Sequence, residues 1–570
     1  MAEDQRYPLS AFCYDEQTAC FMIPDRNTLE AFTYSDGRES ESYLLEVLDK
    51  IGDKRDNAEE LMRAARDWPS YYHMGIGRSN IFRLLDLPDG DILELGCGCG
   101  ALTRYLGENF RSVDSVEGSH TRAQIARKRC SDLHNVKIYC GDLKQISFDK
   151  QYDMVTLIGV LEYAPLFYSK TDPYRACCEL LQLAKSAVKP HGTLVIAIEN
   201  SIGLKYWSGC PEDHTGIMFD GIQGYPVKQG PHTFSKIELQ QLLQEAGLSD
   251  NVFFSCFPDY KFTSVMICHS PLNQELYLHN WISTPFSTPE HHRHYSFHEG
   301  LALRTLSRAG LLDQFANSFA ILAGDPLSET IKNRSWVASK ISTDRRTDFQ
   351  CITTLNTYPG VHIKKRSLGR TMTSSQAYQH LVHDTPTPWI PGDLLIFDIY
   401  EALMHSDPAH QLEEALRPYH SRLLELFSLN EEDHEGYPLL KGAALDFIPR
   451  NVVKYNGVLT PIDLEWTTTE PVTADHVIFR CMRYDVIGTH SPYQKESVGN
   501  PTRFKLDMMK RFFPLYTSER DTLNLKKELS FQQTVKLQFD INSFYQAPRS
   551  RRSLIDHVHS LLRFFPKGRR

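Results

Sequence analysis

A chain of 570 residues is too long for one ordinary hydrophobic core, so roughly two to four domains are expected. With 41% hydrophobic and 23% charged residues it reads as globular, and a formal net charge of −9 argues against nucleic-acid binding, which needs a basic footprint. Its 13 cysteines are scattered, with the spacing of neither a disulfide framework nor a four-ligand zinc site, which points to a reducing, cytoplasmic setting.

The amino terminus, MAEDQRYPLS, is acidic and polar and lacks the apolar stretch of a signal peptide. No apolar run reaches the roughly 18 residues that a membrane span requires. Residues 1–67 read as an accessory segment, with a short hairpin (Ala11–Tyr14, Cys20–Ile23) and helical spacing of Leu44, Leu45, Leu48, Leu61 and Met62. Residues 68–270 alternate strand and helix patterns, which predicts an α/β fold with a mainly parallel sheet and helices on both faces. The first strand pattern, Asp91-Ile-Leu-Glu94-Leu95, runs into Gly96-Cys-Gly98-Cys-Gly100 and then a helix. Alternating glycines let backbone approach a ligand closely at such a turn. The second strand, Ser112–Val116, ends in Glu117, 21 residues after Gly96, where an acid can hold a ribose hydroxyl pair. Further strand patterns are Val136–Cys140, followed by Gly141-Asp142-Leu143, and Tyr152–Ile158, followed by Gly159. Leu194–Ile198 reads as another buried strand after the turn Lys189–Gly192. Ser235–Gly247 reads as a helix, with Ser235 and Glu238 at capping-box spacing and Gly247 closing it.

This series resembles the class I S-adenosylmethionine-dependent methyltransferases over residues 68–270. A dinucleotide dehydrogenase, the main rival, shows G-x-G-x-x-G, whereas this chain has G-x-G-x-G led by Glu94. The resemblance implies a Rossmann-like sheet and S-adenosylmethionine as cofactor. Glu94, Gly96, Gly98 and Gly100 would serve the methionine end and ribose turn, Glu117 the ribose hydroxyls, and Asp142 with Leu143 the adenine. Trp68–Arg78, Leu157–Tyr163 with Gly159, and Glu212–Gly216 resemble a subgroup found among bacterial enzymes that make surface polysaccharides. That likeness implies His73 and Arg78 beside the donor pocket, Arg78 facing a carboxylate. A helix packed over the sheet with solvated polar ends is the alternative for this pair.

The loop after Ile198 is the candidate acceptor segment, because open α/β sheets keep ligands at the carboxyl ends of their strands. Tyr206 and Trp207 can stack on a sugar ring. His214, the sole histidine of the loop, is the candidate general base, with Asp213 beside it. A lid tied down by these two side chains is the alternative.

Residues 271–334 read as a connector. Its histidines (His291, His292, His294, His298) lack carboxylate or cysteine partners at fixed helical spacing, so no metal is expected there. Residues 335–495 resemble a protein-kinase-like α+β domain of the sugar- or aminoglycoside-kinase sort, separate from the first sheet. Asp446 and Asn451 have catalytic-loop spacing, Asp463 stands where a metal-holding aspartate would, and Lys364 matches the strand lysine on the nucleotide phosphates. ATP and Mg2+ are the cofactors implied, with Asn451 and Asp463 as metal ligands and Asp446 as nucleophile-orienting base. The pattern departs from that family: no glycine-rich loop lies in Trp336–Thr354, and Gln376 and Tyr378 occupy the helix where a glutamate partner for Lys364 belongs. Residues 496–570 end in a basic, amphipathic stretch (Arg549 to Arg570) suited to an anionic lipid surface or to docking on the protein's own core.

These readings combine into a cytoplasmic methyltransferase, peripheral to the inner face of the plasma membrane. It would act on a glycan, lipid-linked sugar or glycan phosphate in polysaccharide (O-antigen or capsule) assembly beside glycosyltransferase partners, with sugar-kinase chemistry in the second half. A small-molecule O-methyltransferase with a non-catalytic kinase-like domain, or a glycan-assembly scaffold, are the other readings.

Overall fold

The computed structural model describes residues 6–25, 35, 37–169, 172–226, 230–268, 276–282, 295–332, 334–369, 377–382, 385–488 and 498–537. Gln376, His291, His292, His294 and the basic stretch Arg549–Arg570 lie outside them. Two compact units divide the chain: Met1–Met372 with Val382–Trp389, and Thr373–Leu381 with Ile390–Arg570. Among the described residues no helix is long and apolar enough to cross a membrane.

The first unit is built on one 14-stranded sheet. Its centre is a parallel block in the order Val136–Cys140, Ser112–Glu117, Asp91–Leu95, Tyr152–Ile158, Val188–Glu199. Beyond Val188–Glu199 the reversed strand Ser318–Gly324 intervenes, and Asp250–Phe257 pairs antiparallel with its far side. Antiparallel strands Val265–Cys268, Trp336–Ile341, Cys351–Asn356, His362–Ser367 and Thr387–Pro388 follow in turn. On the opposite edge Cys20–Met22 joins Val136–Cys140 in parallel, with Cys13–Asp15 outermost.

Period-two alternation explains why this sheet is covered on both faces. Leu93, Leu95, Val155, Leu157, Leu194 and Ile196 enter one apolar cluster, while Ile92, Met154, Ile158, Val195 and Ala197 enter another. The helix Lys236–Glu245 starts as its spacing predicts: Ser235 and Glu238 form a reciprocal capping box. Asp67 and Ser70 do the same for Trp68–Met74, which sets the aromatic segment beside the strand ends.

Two expectations need revision. The segment 271–334 is more than a connector, since Ser318–Gly324 is a fully buried strand inside the first sheet. The strands of 336–367, expected in a separate kinase-like domain, instead extend that same sheet, because Val265–Cys268 offers an open edge to Trp336–Ile341. Lys364 therefore lies in the first unit, and Asp446, Asn451 and Asp463 in the second. His298 caps the helix Glu299–Arg308 by accepting from the Leu301 amide at 3.4 Å.

The second unit packs helices Ile396–Met404, Pro408–Phe427, Ala474–Arg480, Pro501–Phe512 and Ser518–Val535 with small antiparallel sheets. Arg520 is its electrostatic anchor. It grips the fully buried Asp475 through two bonds of 2.7 and 2.9 Å, and also reaches Asp433 and Glu435. Removing one partner of such a pair leaves a buried charge uncompensated, at a cost of about 3–5 kcal/mol. Arg520→Ala should therefore lower the unfolding free energy of this unit, read from urea titration, by about 3–5 kcal/mol, and Asp475→Asn in the same background should restore part of it.

Candidate active site

The strand Asp91–Leu95 turns into the helix Ala101–Asn109 through three left-handed glycines, Gly96 (φ 79°), Gly98 (φ 57°) and Gly100 (φ 79°). Two of them are also sterically required. A Cβ on Gly96 would stand 2.6 Å from Val160, and one on Gly100 would stand 2.7 Å from the Ala126 backbone. The amides of Gly96 and Cys97 both donate to the Val116 carbonyl, which ties the turn to the neighbouring strand.

Glu117 ends that strand and is 3% exposed. Its Oε2 accepts from the Gly98 amide at 2.7 Å and its Oε1 from the Ser119 amide at 2.9 Å. A carboxylate oxygen has a second lone pair, so both still have capacity for a ligand hydroxyl. Asp142 caps the turn Leu143–Gln145 by accepting from the Lys144 amide at 3.0 Å. Glu94 accepts from Thr103 and Ser115, at 2.7 and 2.8 Å, on one oxygen. Burial pushes its carboxyl up to about 7, against the opposing pull of those two hydroxyls and of Arg78.

Glu94, Gly96, Gly98, Glu117, Asp142 and Leu143 line one half of a cavity of about 880 Å³, together with Gly159, His73 and Arg78, while Gly100 stands behind it. Arg78 donates to the Tyr72 hydroxyl at 2.9 Å. The other half is aromatic and ionic. Trp68, Tyr71, Tyr72 and Phe262 pack edge and face on one another, with Tyr71 and Phe262 rings 4.7 Å apart. Glu212, Asp213, His214, Tyr260 and Lys261 complete that wall.

Here the geometry departs from a general base at His214. Its Nδ1 lies 2.9 Å from Glu212, while Nε2 faces Glu162 and Glu199 at 3.7 and 3.8 Å. Burial alone would lower its pKa, but Glu199, Glu162 and Glu212 outweigh it and raise the ring well above 6.5. Both ring nitrogens are thus turned toward acidic neighbours. Asp213 is a clamp rather than a catalyst: it takes Lys205 and Lys261, each at 2.8 Å, and against the effect of burial they hold it well below the ordinary range.

In the second unit Asp446 is likewise turned inward. Its Oδ2 accepts from the Glu465 and Trp466 amides at 2.7 and 3.2 Å, and burial pushes it up to about 7. It staples the turn rather than facing a nucleophile. Asn451 donates to the carbonyls of Asp446 (3.0 Å) and Asp463 (3.4 Å), and Asp463 is exposed with φ 57°. Lys364 is exposed on its strand.

Sequence reasoning passed over Glu162, Glu199, Lys205, Tyr260 and Lys261. Glu199 carried a usable signal, because it ends a buried strand as Glu117 does. Lys261 comes from the distant turn between Asp250–Phe257 and Val265–Cys268 and carried none.

With this geometry in hand, the comparison with known proteins is direct. Residues 92–187 match the methyltransferase-domain family. The chain carries a methyltransferase domain. Its α/β sheet is Rossmann-like, with the glycine turn and Glu117 inside the matched span. The malonyl-[acyl-carrier protein] O-methyltransferase of Priestia megaterium is 35% identical over 66 residues, 11% of this chain and 24% of that protein. The ribosomal RNA small subunit methyltransferase A of Alkaliphilus metalliredigens is 23% identical over 139 residues, 24% of this chain and 46% of that one. The chain thus spans 24% to 46% of the length of the curated relatives it matches. The crystal structure of N-methyltransferase NodS from Bradyrhizobium japonicum aligns at 12% identity and a TM-score of 0.24, over 44% of this chain and 94% of that one.

Glu94 gives the methyltransferase domain a pH signature. Between about pH 4.5 and 7 the folded state holds a proton that an unfolded chain, with its ordinary carboxyl, releases. Raising the pH through that window should cost about 3 kcal/mol of stability. Urea titrations from pH 5 to 8 should show this decline in the wild type and its loss in Glu94→Gln.

Proposed function

We propose that the chain is an S-adenosylmethionine-dependent methyltransferase whose acceptor is a glycan, lipid-linked saccharide or glycan phosphate. The observation that carries the donor assignment is Glu117, buried at a strand tip and bonded to the glycine turn, inside a cavity large enough for two reactants. Trp68, Tyr71, Tyr72 and Phe262 support the acceptor class, since aromatic faces stack on sugar rings, and Glu212 and Lys261 offer polar contacts beside them. Methyl transfer from a sulfonium is a direct displacement, so the protein's task is alignment and exclusion of water. An acceptor that is already anionic suits a site whose one histidine is engaged by Glu162, Glu199 and Glu212. In this reading the enzyme works in surface polysaccharide assembly, beside glycosyltransferases at the inner face of the membrane.

Removing the Glu117 carboxylate would strip an acceptor from two ribose hydroxyls, worth about 1.5–3 kcal/mol for charge-assisted bonds. Calorimetric titration of Glu117→Ala with S-adenosylmethionine should show binding about tenfold weaker or more. Unchanged affinity would overturn the donor site. Incubation with labelled donor and lipid-linked glycan tests the acceptor, and transfer only to amines or proteins would refute the glycan reading.

A second reading concerns the second unit, where Asn451 holds the backbone of both Asp446 and Asp463 and leaves Asp463 exposed. Two oxygen ligands there support binding of a magnesium–nucleotide complex, without the carboxylate that would orient a sugar hydroxyl, since Asp446 is taken by the Glu465 and Trp466 amides. ATP with magnesium at about 100 times its dissociation constant should stabilise this unit by about 2.7 kcal/mol, and Asp463→Asn should abolish the shift. No shift in the wild type at millimolar ATP would leave methyl transfer as the one reaction.

A further inference from the structure

We propose that Glu162, Glu199 and His214 form a binding site for a divalent transition cation of the zinc or manganese class. Glu162 lies in the turn Leu161–Tyr163, Glu199 ends the strand Val188–Glu199, and His214 belongs to the loop after Cys210. Three segments distant in sequence thus bring one imidazole and two carboxylates together, with ligand atoms within 4.8 Å of one another.

The spacing is that of co-ligands. His214 Nε2 stands 3.7 Å from Glu162 Oε1 and 3.8 Å from Glu199 Oε2, too far for hydrogen bonds. Donors about 2.0–2.2 Å from one tetrahedral ion sit about 3.3–3.6 Å apart. The two histidine–glutamate distances need contract by only a few tenths of an ångström to reach that range, and the Glu162–Glu199 oxygens already lie within 4.8 Å of each other. Both glutamates are 0% exposed, and Glu162 Oε2 and Glu199 Oε2 have no hydrogen-bond partner. Leaving such oxygens bare is costly, and a cation relieves it.

Charge and outer contacts agree. Four carboxylates, Glu162, Glu199, Glu212 and Asp213, are gathered against the two lysines Lys205 and Lys261 and the His214 ring, so the cluster is rich in acidic ligand groups. A dication with a neutral His214 balances the set. Glu212, 2.9 Å from His214 Nδ1, is the partner that fixes a metal-bound imidazole's tautomer and orientation. An imidazole with two carboxylates suits zinc or manganese better than calcium or magnesium, which take all-oxygen shells. Because Glu212, Asp213 and His214 also line the cavity, the ion would hold that loop against the strand end.

The test uses the full chain, stripped with EDTA and titrated separately with Zn2+ and Mn2+. One ion per chain should bind. Glu162→Gln and His214→Ala should each weaken binding at least about tenfold while circular dichroism stays unchanged. No binding at millimolar ion, or equal binding by both variants, overturns the site. Should the variants fail to fold, X-ray absorption of the zinc-loaded wild type decides: one imidazole with carboxylate oxygens supports the site, and thiolate or several imidazoles overturn it. Donor titration is a separate measurement, so a failure here leaves the methyl-transfer reading standing.

Discussion

A buried strand that must become a helix within five residues, and leave a hollow beside it, has to pass through left-handed backbone. Gly96, Gly98 and Gly100 meet that constraint, and the cavity depends on it. Without the tight turn, the Gly98 amide could not meet Glu117, nor could the helix after it lie against Ala126. The strand that feeds the turn also places Glu94 at the cavity wall, buried and held by two hydroxyls. Backbone geometry thus precedes and determines the electrostatics.

The far wall obeys a different logic. There, position comes from charge pairing deep in the fold: Lys205, fully buried, holds Asp213, and Lys261 bridges Asp213 to Glu199. These ions stabilise one another, so the wall is held as a set. This explains why His214, which looks like a base in its loop, is something else in its setting. Its three acidic neighbours come from three separate segments.

That contrast accounts for what could be read in advance. The glycine turn, Glu117 at a strand tip and the Ser235–Glu238 cap are local patterns, and each lies where its spacing predicts. Ser318–Gly324 was also legible in principle, as a continuous apolar run of the kind that fills a buried strand. It was concealed because the fold appeared complete before it. The strands from Trp336 to Ser367 have clear patterns, but alternation says nothing about which edge a strand joins. The ionic wall was least legible, since Glu162, Glu199, Lys205 and Lys261 become neighbours only through the sheet's crossovers.

The reversed strand Ser318–Gly324 also bears on how the first unit is made. It is the sole bridge between Val188–Glu199 and Asp250–Phe257 among the described strands, yet it is translated after both. Until the ribosome has delivered it, two long apolar strands wait with open hydrogen-bonding edges, the arrangement most prone to pairing with a foreign chain. A fragment ending near residue 270 would keep those edges permanently. A fragment that closes both edges must therefore reach at least through Ser318–Gly324, some fifty residues beyond the point where the familiar pattern ends.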